Sequence, residues 1–264
     1  MTRDSQRTPF HNRPGQAFVE LALMLPILLL LIAGMVEVVF AFNDYLQMLD
    51  GARNGARDSA DLNPYPNAES AYDSIKDCDS TNNFFRRTAC STQRFLLPVD
   101  IEVEPPTLAG NTCIPSTDAE HYTNDIVISI FTTAIVDEGS GPELRVQRFN
   151  DADWNGGDPH LDEDNEEDND IGWSFVMDQY TSPQMRGMCS AFDLEADISP
   201  LLLGSSDVSN AAPNSGYLLV EVFYRHYQLF DVPAFGDVIA NPIPLHAYAI
   251  FLLSAAEPTA TPEP

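Results

Sequence analysis

An uninterrupted apolar run near the amino end, carried on as a largely apolar stretch over residues 21–42, decides more about this chain than any other feature. As a helix it would measure about 33 Å at roughly 1.5 Å per residue, close to the ~30 Å hydrocarbon core of a bilayer. It is long enough to span. Pro26 removes one backbone donor one turn into the run, an interruption that a membrane helix tolerates better than an exposed one. Glu37 stands near the far edge, where a long side chain can reach the headgroups, so its cost falls below the ~2.5 to 3.5 kcal/mol quoted for a charge at mid-helix.

The flanks set the expected orientation. Ahead of the run lie Arg3, Arg7 and Arg13 against one Asp4, and basic flanks stay on the cytoplasmic side. The remainder is then exported. A cleaved secretory signal would have a shorter apolar core followed by small residues, whereas residues 38–43 are bulky and aromatic and no A-x-A site follows. The chain of 264 residues carries a formal charge of -27, and the leader contributes +2 (three Arg, one Asp), which leaves -29 on the rest. Lys76 is the one lysine. A surface this acidic repels nucleic acid and anionic headgroups, so no nucleic-acid partner is expected.

Beyond the run the helical pattern persists. Tyr45, Leu49, Ala52, Ala56 and Ala60 recur at three- and four-residue spacing and form a narrow small-residue stripe. Gly51 and Gly55, each about 1 kcal/mol worse than Ala in a helix interior, point to a close neighbour. One helix over residues 16–60 is the reading, its first half in lipid and its second half packed on a domain or another subunit. Pro64 and Pro66 end it.

The rhythm then changes to two. Val99, Ile101 and Val103 alternate with acids before Pro105 and Pro106; Ile126, Ile128 and Ile130 share a face; residues 143–149 return as a hairpin partner after Gly139 to Pro142. Leu218, Val220, Val222 and Tyr224 mark a further strand, and residues 246–253 a last one. The predicted class is α+β: a long amino-terminal helix leading to a mostly antiparallel sheet with long acidic loops. The expected organisation is a leader at 1–15, the helix at 16–60, an extracytoplasmic β-rich domain at 61–256 with an acidic insertion near 150–170, and a Pro-rich tail at 257–264.

Cys78, Cys90, Cys113 and Cys189 all fall in the exported part, and none forms C-x-x-C. An even count in an oxidising compartment favours disulfides. Three pairings are open; Cys78 with Cys90 closes the shortest loop and leaves Cys113 for Cys189.

Gly15, Val19, Glu20, Ala22 and Pro26, followed by the leucine run, Glu37 and the Ala52 to Arg57 block, form a set that resembles the TadE-like pseudopilins of tight adherence (Flp-type) pili. The likeness covers about the first sixty residues. It implies a precursor cut by a prepilin peptidase between Gly15 and Gln16, with Glu20 fifth in the mature chain and set to neutralise an amino terminus, usually a neighbour's. Gln16 stands where many related subunits carry an aromatic. A carboxylate and an ammonium in an apolar filament core must pair or cost several kcal/mol each. The resemblance further implies helix packing through Pro26, Glu37, Gly51, Ala52, Gly55 and Ala56, with the cytoplasmic membrane and other pilin or pseudopilin subunits as partners. The protein would be a single-pass membrane protein with its amino terminus inside and its domain outside, at the membrane or on the pilus. The competing reading is a signal-anchored extracytoplasmic binding protein, calcium-dependent and never part of a filament; processing at Gly15 separates the two.

Asp151, Asp153, Asn155, Gly156 and Asp162 follow the D-x-[DN]-x-[DN]-G calcium-loop spacing. Against this, the twelfth position is Asp instead of Glu, Asp158 takes the usual aliphatic place and Pro159 stiffens the loop. The run of carboxylates to Asp170 reads first as a solvated loop, and calcium as the alternative. No other cofactor is expected. The chain contains no G-x-S-x-G, P-loop, HExxH or C-x-x-C, and its five histidines lack metal spacing, so the expectation is a structural protein and no enzyme.

Overall fold

The computed structural model describes residues 14–62, 78, 84–97, 113–137, 142–148, 172–176, 186–203, 216–229 and 241–253. Helix α1 (Pro14–Ser59) is a single rod that continues through Pro26, and α2 (Phe84–Leu96) packs against its far half. The strands are β1 (Asp125–Asp137), β2 (Pro142–Arg148), the two-residue β3 (Trp173–Ser174), β4 (Gly216–His226) and β5 (Ile243–Leu253). The fold is α+β with an antiparallel sheet in the order β2-β1-β4-β5, and β3 pairs with β1. The strand expected around Val99 to Val103, the acidic segment and the tail lie outside the described residues.

Alternation assigns the two faces of the sheet. Ile126, Ile128, Ile130, Leu218, Val220, Val222, Ala247, Ala249 and Leu253 point toward α1 and α2 and form the main core with Met48, Ala52, Ala56, Phe84, Phe85 and Trp173. The β1–β2 hairpin pairs Asp137 with Pro142 at its mouth, and β4 and β5 pair from Gly216–Leu253 to His226–Ile243. The other face is also buried across β1 and β4, where a single-sided strand pattern would leave it to water. Ile114, Tyr122 and Met188 cover Val127 and Phe223, and Ile198 covers Phe131 and Leu219. The cover consists of residues 113–124, residues 186–193, a π-helical turn (Leu194–Ile198) and the short helix α3 (Ser199–Leu203).

Two buried carboxylates pin this cover to the sheet. Asp125 accepts hydrogen bonds from the Ile126, Val176 and Met188 amides at 2.8, 3.0 and 2.8 Å and from the Ser174 hydroxyl at 2.6 Å. Burial pushes its carboxyl up to about 6 even though all four donors favour the charged form. Glu221, fully buried on β4, accepts from Ser190 Oγ at 2.6 Å and the Ala191 amide at 2.8 Å. Burial, with the Glu221 charge nearby, raises the Tyr122 phenol, whose hydroxyl donates to the Leu245 carbonyl at 2.7 Å.

Disulfides join Cys78 to Cys90 in the helical layer and Cys113 to Cys189 in the cover. Their spans of 12 and 76 residues differ enough to rank them. Chain-entropy arguments assign about 3 kcal/mol to the short loop and about 4.5 kcal/mol to the long one. The Cys113→Ser/Cys189→Ser pair is therefore expected to lower the denaturant midpoint more than Cys78→Ser/Cys90→Ser, as read by urea unfolding of the full chain in detergent.

Candidate functional site: the two halves of α1

The first half of α1 exposes nearly everything it has. Phe18, Leu21, Leu23, Met24, Ile27, Leu28 and Leu31 stand open, and none of the most apolar stretch of the helix is buried. By length and composition this single amino-terminal helix is able to cross a membrane, and it fits a membrane anchor. Gly15 and Gln16 lie in its first turn, and Glu20 is on its exposed surface. Pro26 is exposed in the same half, away from the intrachain packing.

The second half is a docking face. Met48, Gly51, Ala52, Gly55, Ala56 and Ser59 are buried, repeating at three- and four-residue steps toward α2 and the sheet. The glycines are there because α2 comes too close for a side chain. A Cβ on Gly51 would sit 2.5 Å from Leu96 Cδ2, and one on Gly55 would fall on the Thr92 hydroxyl and 2.9 Å from Thr92 Cα. The neighbour that the glycine pair implies is therefore a helix of the same chain. Ser91 Oγ adds a hydrogen bond to Asp58 Oδ2 at 2.8 Å across the same contact.

Where the two halves meet, polar groups take over. His226, at the end of β4, places Nδ1 2.7 Å from Asp44 Oδ2 and Nε2 3.7 Å from Glu37 Oε1. Glu37 Oε1 also accepts the Leu229 amide at 2.6 Å. Instead of reaching alone for the headgroups, Glu37 is held by the β-domain. Its seven-residue spacing from Asp44 puts both carboxylates on one helix face, opposite one imidazole.

Ser190, Glu221 and His246 also converge, with His246 Nε2 3.1 Å from Glu221 Oε1. The order differs from that of a nucleophilic triad. The carboxylate stands between hydroxyl and imidazole, so the imidazole is not the group that accepts the serine proton. The cluster ties residues 190 and 191 to β4 and β5. Asp151, Asp153, Asn155 and Asp162 lie outside the described residues; among those described, no group of three or more His, Cys, Asp or Glu has a metal-holding arrangement.

Sequence reasoning missed His226 and Asp44 as a pair. The available signal was an acid at the lipid edge with a second acid seven residues on, which together call for a partner elsewhere in the chain.

Comparison with known proteins gives one finding, and it falls on this helix. A family model described as TadE-like protein matches residues 15–57, which lie entirely within α1. No curated protein and no solved structure gives a significant match.

Proposed function

We propose that this chain is a TadE-like minor pilin or pseudopilin, a membrane-anchored structural subunit in the assembly of tight adherence, type IV-like pili. The observation that carries the reading is the coincidence of the family match at residues 15–57 with a helix whose first half is bare and apolar and whose second half is docked. A helix built in this way serves first as an anchor and then as a packing surface for neighbouring subunits. In this reading a prepilin peptidase cuts between Gly15 and Gln16, and Glu20 neutralises a new amino terminus. The leader stays in the cytoplasm and the acidic domain stands outside.

The test is amino-terminal sequencing of the protein recovered from membranes of cells with an active prepilin peptidase. The expected mature chain begins at Gln16, and Gly15→Leu is expected to leave the leader attached. A wild-type chain beginning at Met1 or Thr2 would overturn the reading in favour of an uncut, anchored ectodomain.

A further inference from the structure

The end of β4 reaches a level of α1 that belongs to the membrane. The Leu229 amide lies 2.6 Å from Glu37 Oε1, which fixes residue 229 beside helix position 37. Counting ~30 Å of hydrocarbon at ~1.5 Å per residue from Ala17 ends the core at position 37, and counting from Leu21 ends it at position 41. With either starting point residue 229 lies at the outer boundary of the core or just within it. Two large side chains of this short segment are exposed, Tyr227 at 54% and Leu229 at 63%, immediately after a strand whose residues are almost all covered. On α1, Val38, Val39, Phe40 and Phe42 are exposed at the same height.

We propose that residues 227–229, with Phe40 and Phe42, are seated in the interfacial layer of the bilayer that α1 crosses, so that the β-domain rests on lipid instead of standing clear of it. The inference depends on the reading of α1 as a membrane span. The occupant is lipid because the patch is continuous with the exposed apolar surface of the span and has interfacial chemistry. Tyr227 is amphipathic, and the Arg225 guanidinium lies 5.9 Å from its ring centroid, an aromatic and basic pair of the kind enriched at headgroup level. The arrangement also accounts for Glu37. Its side chain is 13% exposed, held by the Leu229 amide and facing His226, which in turn binds Asp44, so the Glu37 carboxylate does not face the acyl chains bare.

The experiment places a photoreactive benzoylphenylalanine at position 229, or at 227 as a second reporter, in the full chain reconstituted in phosphatidylethanolamine/phosphatidylglycerol vesicles. Leu31, 57% exposed in the apolar half, is the span control. Leu201, 59% exposed on α3 beside the opposite end of β4, is the control away from lipid. Lipid adducts are expected at 31, 227 and 229, with at least about tenfold more at 229 than at 201. Adducts at 31 with only background at 227 and 229 would overturn the seating and leave the anchor standing. Absence of adducts at 31 would overturn the anchor and the seating with it, and crosslinks from 229 to protein in place of lipid would show a protein docking site instead.

Discussion

Gly55→Val is expected to separate α2 from α1 and cost about 3 kcal/mol or more, a large share of the roughly 5–15 kcal/mol that keeps a domain of ordinary stability folded. The reason is where the new atoms would go. A Cβ at position 55 falls on the Thr92 hydroxyl and lies 2.9 Å from Thr92 Cα, and backbone cannot rotate away. Thr92 is also held, its hydroxyl donating to the Thr88 carbonyl at 2.9 Å. Relief requires α2 to back off, opening the core where Phe84, Phe85 and Leu96 meet the sheet. Gly51→Ala meets the Leu96 side chain, at Cδ2 and at Cγ 3.0 Å away, while the Thr92 carbonyl oxygen is an ordinary 3.8 Å off, and is expected to cost about 1–2 kcal/mol. Gly34→Ala meets nothing within 4 Å and should carry no cost, any effect being the small gain of Ala over Gly in a helix. Fluorescence of Trp173, buried and stacked on Phe85 at 5.7 Å, provides a readout during urea titration in detergent. Equal effects at positions 34 and 55 would contradict the packing described.

The second large effect is expected at Asp125. Asp125→Ala leaves the Ile126, Val176 and Met188 amides and the Ser174 hydroxyl without their acceptor, at a cost of about 3–5 kcal/mol. The wild-type carboxylate also has a pH signature. Its folded value near 6 lies above the ordinary 3.8, so the folded state holds a proton that the unfolded chain has released between those values. Stability from this group is complete below about pH 4 and falls by roughly 3 kcal/mol as pH rises through 6. Asp125→Asn keeps one acceptor oxygen and cannot titrate. It should be less stable than wild type while losing this slope, so the difference between the two proteins narrows from pH 4 to pH 7. Parallel wild-type and Asp125→Asn curves, measured by denaturant midpoint at each pH, would refute the assignment.

Much of this architecture was legible because a hydrophobic period records which face is covered. The rod of α1, the β1–β2 hairpin and the inward faces of β4 and β5 follow directly from spacing. Helix α2 did not, because Thr88, Ala89 and Thr92 carry much of its buried stripe and Arg86 is buried with them. A scan for aliphatic residues passes over such a helix. The buried acids were obscured for a related reason: in a chain this acidic, each carboxylate reads as solvated. Glu221 nevertheless has Leu219 and Phe223 two residues to either side, on its own face of the strand. A charge between two large apolar neighbours at that spacing signals a second covered face, and the residues that cover it come from distant segments that no local pattern connects. The glycine pair predicted a close neighbour without saying which, since sequence spacing gives the width of a gap and not the identity of what fills it.

The 46 residues of α1 form one rod about 69 Å long, clasped by α2 and the sheet over its outer half and held at mid-length through Glu37, Asp44 and His226. The helix is unbroken from its apolar half to its clasped half. A displacement of the exposed apolar end along the axis would therefore reach the β-domain through one continuous helix backbone.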